Sequence, residues 1–275
     1  MNGILTIARL TWLEARRKRI VFAALACGLA FLLLFAAVVY FMPAGRGPAE
    51  ALEVRIQLQA MALIGLYAVN FLVAAFAVML PVDTLSGEIA SGVMQTLAAK
   101  PIRRSDIILG KWLVFCLMSA GYIAVMSLCI VGEMWVLRGF VQRNLLPALG
   151  LMLLEASVLV SITMAGGVRL STVTNGIVAF GFFSLAFIGG WVEQIGVMLG
   201  NPSAHYIGTA ISLVSPTDAL WRLALHILQP PVMAQIAGNP FSSGSVPSSA
   251  MVWWAVAYVA AALLITVRAF RRRPL

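Results

Sequence analysis

Apolar residues run almost without interruption through much of this chain, and polar residues collect in a few short islands. Apolar spans cover 20–42, 57–82, 107–137 and 250–270. Each reaches the about 20 residues that carry a helix across a bilayer core. A further run, Leu145 to Gly200, holds 56 residues. At 1.5 Å per residue it is far too long for one crossing. Its break is expected near Gly166 to Gly176, where Arg169, Ser171, Thr172, Thr174 and an Asn175-Gly176 turn pair interrupt it. The run then divides into spans over 146–168 and 175–198. The pattern predicts an all-α polytopic membrane protein: one transmembrane domain, 1–275, with six transmembrane helices.

The pieces between the spans differ in kind. In 1–19, Ile4, Ile7, Ala8, Thr11, Trp12 and Ala15 share one helical face, and Arg9, Glu14 and Arg16 lie off it. This predicts a short amphipathic helix in the headgroup layer, an interfacial elbow anchored by Trp12. Arg16 and Arg17 open a basic stop that continues through Lys18 and Arg19. Residues 83–106 form a polar loop after span 2. Residues 199–249 form a long, less apolar segment before span 6. Within it, Ser215-Pro216-Thr217-Asp218 predicts a helix start, with Ser215 as cap and Pro216 first. Leu220, Leu223, Ala224 and Ile227 give that helix an apolar face, and Pro230-Pro231 stop it.

Composition agrees with the pattern. The chain is 61% apolar and 11% charged, against about 25% charged in soluble domains, with a mean hydropathy of +0.97. Its net charge of +9 does not mark a nucleic-acid binder, because the positive residues sit at span ends rather than along a stripe. Fourteen of the Lys and Arg residues fall in the N-terminal segment, the loop after span 2, the turn between spans 4 and 5, and the C-terminal tail; five fall in the opposite loops. The positive-inside rule then places both termini and 83–106 in the cytoplasm, and 199–249 outside the inner (plasma) membrane. Cys27, Cys116 and Cys129 lie within apolar spans with no CxxC, which reads as small buried hydrophobes. The run 20–42 is too long for a signal-peptide core and is expected to remain as the first span.

The longest polar island is Asp83 to Lys111, with Asp83, Glu88, Lys100, Arg103, Arg104, Asp106 and Lys111 in 29 residues. Gly87 to Ala98 is expected as one short helix. Ile89, Val93, Met94 and Leu97 share one face; Glu88, Ser91, Gly92 and Gln95 share the other. Pro101 ends it, Arg103 and Arg104 occupy the turn, and Ser105 caps span 3 with Asp106 in its first turn. A plain hairpin connector and a docking helix both fit this periodicity. Gly87 and Gly92 favour docking. Each costs about 0.8–1 kcal/mol against Ala inside a helix, and each would let a partner approach the backbone.

Glu88-Ile89, Ser91-Gly92, Met94, Leu97, Pro101-Ile102, Arg104, Ile108 and Gly110-Lys111 follow the pattern E-I-x-S-G-x-M-x-x-L-x-x-x-P-I-x-R, then I-x-x-G-K. This resembles the membrane subunits of ABC-2-type ATP-binding-cassette transporters. Within them it is most similar to permeases linked to multicopper-enzyme maturation, such as that of nitrous-oxide-reductase assembly. Ser215-Pro216-Thr217-Asp218 followed by Trp221-Arg222 also resembles a feature of that subgroup. The likeness in layout covers essentially the whole chain. It implies a homodimer bound to two cytoplasmic ATPase subunits, which hold the ATP and Mg. It implies a coupling helix docked on the ATPase through Glu88, Ser91, Gly92, Met94, Leu97, Arg103 and Arg104. The function implied is export, or transmembrane conformational work, driven by the partner's ATP hydrolysis. The subgroup implies an external or periplasmic partner, and a chain that transmits movement without itself passing a small molecule. No GxxxxGK[ST] occurs here, so ATP must be bound elsewhere, and no cofactor or metal is expected in this chain.

Candidate chemistry within the spans is sparse. Glu133 and Glu155 are read as the two carboxylates inside spans, where a charge marks function by default. Glu133 lies near the outer end of span 3, within reach of headgroup water. Glu155 lies deeper and, with Asn70, is a candidate for lining a substrate path; an interhelical hydrogen bond is the alternative. His205 and His226, with no cysteine nearby, make a poor copper or zinc site. An intramembrane protease or lipid-modifying enzyme would need a Ser/His or Asp/Asp pair at one depth. Neither histidine lies in a predicted span and no GxSxG occurs, so no catalytic residue is assigned. Gly166, Gly167, Ala156, Ser157 and Ser161 read as helix-packing surface.

Overall fold

A computed structural model describes residues 3–43, 48–90, 92, 103–229 and 246–272. Among the described residues the chain forms ten helices and no strand: α1 (Gly3–Ala15), α2 (Arg19–Phe41), α3 (Pro48–Met79), α4 (Thr84–Ala90), α5 (Arg104–Arg138), α6 (Leu145–Gly167), α7 (Thr172–Met198), α8 (Pro202–Val214), α9 (Thr217–Leu228) and α10 (Ala250–Arg272). Six of them, α2, α3, α5, α6, α7 and α10, are long and apolar enough to cross a membrane. The core lies along α3, α5 and α6, while α2 and α10 pack at the edge. The outer face of α2 exposes Phe22, Leu25, Leu29 and Leu33. Cys27 is also exposed, not buried as its apolar surroundings suggested; Cys116 and Cys129 are half-buried and all three are free.

Six alternating crossings bring both chain termini to one end of the bundle. There α1 lays Ile7, Ala8, Thr11 and Ala15 against α5, and a Cβ at Gly110 would meet the Ile4 carbonyl at 2.8 Å. These are four of the six residues on the expected face. The face packs on protein, while Leu5, Leu10 and Leu13 stay exposed. At the same end, Lys18 Nζ donates to Asp83 at 2.7 Å. Arg104 donates to the carbonyls of Phe270 and Arg271 at 3.2 and 3.1 Å. The break in the long apolar run falls at Val168 to Ser171. Ser171 caps α7 by accepting from Thr174 N. Asn175 and Gly176 are not the turn; they lie inside α7, and Asn175 Nδ2 donates to the carbonyls of Val82 and Thr163. At the opposite end, Gly139 (φ 63°) terminates α5, and Arg138 donates to the Val39 carbonyl at 2.9 Å. A cation on the last carbonyls of α2 complements that helix's dipole.

The described part of 199–249 is mostly helical, and the helix expected after Ser215 is present as α9 (Thr217–Leu228). After α7 the chain turns at Gly200 (φ 62°), and Asn201 caps α8 by accepting from Ser203 N and Ala204 N. α8 runs back along α7. The contact is close because Gly189 and Gly196 of α7 face Ile211 and Ala204, and Gly208 of α8 faces the Glu193 backbone. Small residues permit such approach where apolar burial gives helices little drive to associate. The turn at Ser215 lies level with Phe182, whose carbonyl accepts from Ser215 Oγ at 3.1 Å. That is sixteen residues short of the end of α7, or about 24 Å at 1.5 Å per residue. α9 then returns outward. Its final carbonyl, Leu228, accepts from Gln59 and Gln142 at 3.1 and 2.9 Å. Helices α8 and α9 thus form a re-entrant hairpin. Ser215 is not the cap of α9: Pro216 holds that position without a side-chain bond, and Ser215 turns to Phe182 and Thr217.

Gly208→Leu is expected to push α8 off α7, at about 1–3 kcal/mol for an overpacked contact. Gly150→Leu, where a Cβ meets open space, is the control with no loss. Thermal unfolding of both variants in a bilayer mimic checks this.

Candidate functional site

The hairpin is held by charge as well as by close packing. Asp218 and Arg222 stand four residues apart on α9, a spacing that puts them on one helical face. Arg222 is 3% exposed. Its Nη2 donates to Glu193 Oε2 of α7 at 2.8 Å and to Ser212 Oγ of α8 at 3.1 Å. Its Nε lies 2.9 Å from Asp218 Oδ2, a charge contact without hydrogen-bond alignment. His205 Nδ1 of α8 lies 3.8 Å from Glu193 Oε1. Gly190 makes this possible, since a Cβ there would collide with the Asp218 carboxylate.

Beside the cluster a cleft of about 230 Å³ opens between α3, α7 and α9, walled by Tyr67, Phe187, Trp191 and Trp221 with Asp218 and Arg222. A smaller hollow of about 20 Å³ continues inward to Asn70 of α3 and Glu155 of α6, sharing Tyr67, Phe187, Asp218 and Trp221 as its wall. That volume suits about one water molecule. Asn70 Nδ2 donates to Glu155 Oε1 at 3.3 Å. Glu155 Oε2, Asn70 Oδ1 and Trp221 Nε1 are buried with no hydrogen-bond partner among the described residues. The two in-span candidates from the sequence therefore meet, 85 positions apart in the chain. Glu133 lies apart from them on α5. The sequence reading missed Glu193, a third carboxylate inside a span. Its signal was available, since any intramembrane charge is a candidate. The pairing of Asp218 with Arg222 was legible as an i, i+4 spacing. The aromatic walls carried no signal apart from apolarity.

The residues expected to dock an ATPase lie at the other end. Glu88 is turned inward and forms an ion pair with Lys111, itself 3% exposed along its side chain. Gly92 sits at φ 74°, a left-handed conformation that a continuous helix over Gly87 to Ala98 does not allow. Its own backbone geometry accounts for glycine at that position. The described helix here is α4, beginning at Thr84. Ser91, Met94 and Leu97 lie outside the described residues. Arg103 is exposed and precedes α5; Arg104 is its first residue. Ser105 does not cap α5, and its Oγ instead contacts Asp106 at 3.3 Å. Trp12, Arg16 and Arg17 are exposed at the end of α1. Among the described residues no group of three His, Cys, Asp or Glu could hold a metal ion.

Arg222→Met leaves Glu193 and Asp218 buried without their guanidinium. Breaking a buried pair in this way costs about 3–5 kcal/mol. Adding Glu193→Gln and Asp218→Asn is expected to recover more than half of the loss. Denaturant titration of helicity, with all variants in one mimic, measures both steps.

Residues 5–275 match the family model described as ABC-2 family transporter protein. No curated protein matches the chain significantly. The matched region takes in all six spanning helices, the α4 segment and the re-entrant hairpin, so the chain belongs to the ABC-2 family of transporter membrane proteins.

Proposed function

We propose that the chain is the permease subunit of an ATP-binding-cassette transporter, paired with a second copy of itself and driven by separate cytoplasmic ATPase subunits that carry the ATP and Mg. The observation that supports this best is the clasp at the basic end of the bundle. Lys18 joins the start of α2 to Asp83, Glu88 joins α4 to Lys111 of α5, and Arg104 joins α5 to the end of α10. A force applied at α4 is then carried by three spans as a rigid body, the kind of unit that domain-scale transitions move. The excess of Lys and Arg at this end supports a cytoplasmic orientation, on the side where an ATPase works. In this reading α1 is the elbow that rides on α5.

Glu88 is a poor residue for testing the docking, because reversing its charge would strand buried Lys111. Arg103 is exposed and makes the cleaner test. Affinity purification from native membranes is expected to recover an ATPase subunit in equal amount. Arg103→Glu is expected to lower that recovery at least about fivefold, roughly 1 kcal/mol, with unchanged thermal unfolding. Reproducible absence of an ATPase, or full recovery with Arg103→Glu, would overturn the docking assignment. A copurifying external copper protein would favour the narrower reading, in which the chain transmits movement for multicopper-enzyme maturation.

A further inference from the structure

The cleft beside the hairpin has a chemistry of its own. Trp221, Tyr67, Phe187 and Trp191 form a run of neighbouring rings, with centroids 5.5, 6.5 and 6.4 Å apart in turn. Aromatic faces carry the negative lobe of the ring quadrupole and attract cations. At the inner end stands Glu155, 2% exposed, with Oε2 unpartnered among the described residues. Asp218 lines both hollows. Its one cationic neighbour among the described residues, Arg222, is shared with Glu193. Glu155, Glu193 and Asp218 thus make three carboxylates around one guanidinium, with the His205 imidazole 3.8 Å from Glu193. A buried carboxylate without a counter-charge is costly and must either hold a proton or find a cation, and neither a lipid tail nor a neutral solute supplies one. A bound cation would satisfy the carboxylates and the ring faces together. Trp191 and Phe71, both exposed, mark where a ligand would enter from the side.

We propose that this cleft binds a small organic cation, a quaternary or protonated amine with an apolar body. Its role as the transported substrate class rests on the permease reading; the binding itself does not. The cationic head sits against Asp218 at the inner wall of the cleft, beside the Tyr67 and Trp221 rings and facing the narrow hollow that leads to Glu155. The apolar body lies toward Phe187, Trp191 and Leu225. A volume of about 230 Å³ suits a molecule the size of benzyltrimethylammonium and is small for a drug-sized ligand.

The test uses the full chain, purified without any ATPase, in nanodiscs of zwitterionic lipid. Binding of benzyltrimethylammonium is compared with that of neopentylbenzene, which has the same shape and no charge. The cation is expected to bind saturably. Glu155→Gln, which keeps the side-chain shape and the bond to Asn70, is expected to weaken it at least about tenfold, and Trp191→Ala about fivefold. Trp191 is half-exposed, so the second variant stands even if the first does not fold. Neopentylbenzene should be indifferent to Glu155→Gln. Cation binding unchanged in both variants, or neopentylbenzene binding as tightly as the cation, would overturn the proposal and leave an apolar groove. Failure to find an ATPase would remove the transport role and leave this result standing. Absent cation binding in a chain that does recruit an ATPase would overturn the binding proposal and its substrate class together, and leave the permease reading standing.

Discussion

A guanidinium with only 3% of its surface exposed has to bring its counter-charges with it. Arg222 takes them from two directions, Asp218 within its own helix and Glu193 across from α7. That requirement organises the surrounding backbone. Asp218 can reach Arg222 at this depth only because position 190 is glycine. Glu193 can face the hairpin only because position 208 is glycine. The turn at Ser215 must sit deep enough for α9 to carry Asp218 to the level of Gly190, and the Phe182 carbonyl holds it there. The glycine contacts and the ion cluster are two views of one fit between α7 and the hairpin.

The spans were legible because continuous apolarity over about 20 residues has few other uses. The buried face of α1 was legible for a similar reason, since periodicity names a face before it names what covers it. The hairpin was not. At 13 and 12 residues, α8 and α9 are too short to span, and Asp218, Arg222 and His205 make them look solvent-bound. Counting Arg222 among loop charges followed from reading each charge alone; its partner Glu193 lies 29 positions away. Glu88 failed in the same manner. The helical pattern put it on a polar face and so pointed it outward, but Lys111, 23 positions on, turns it in. Asn70 and Glu155 were singled out because each is a polar group in an apolar span. That each answers the other is a property of the packing. At Arg222 and Glu88, sequence reasoning missed because the charge is neutralised by a residue that only the fold brings near.

The two walls of the cleft are built differently, and this bears on how such a chain can move. The wall between α7 and the hairpin is hard: a shared guanidinium, glycine contacts on both helices, and a turn tied to Phe182. Among the described residues, the wall between α3 and α6 is joined within the cleft by one side-chain hydrogen bond of 3.3 Å, Asn70 to Glu155, with an unpartnered oxygen on each side chain. In the first half of α3, Gln59 is tied to Gln142 and to the Leu228 carbonyl of the hairpin. At its C-terminal end α3 runs through a short turn into α4. Under the permease reading, movement of α4 would reach the cleft through α3, which directly precedes it in the chain. On its α6 side that movement would load the contact between Asn70 and Glu155. A ligand cation facing Glu155 replaces part of what that contact supplies, so occupancy and the position of α3 would bias one another through a single pair of side chains.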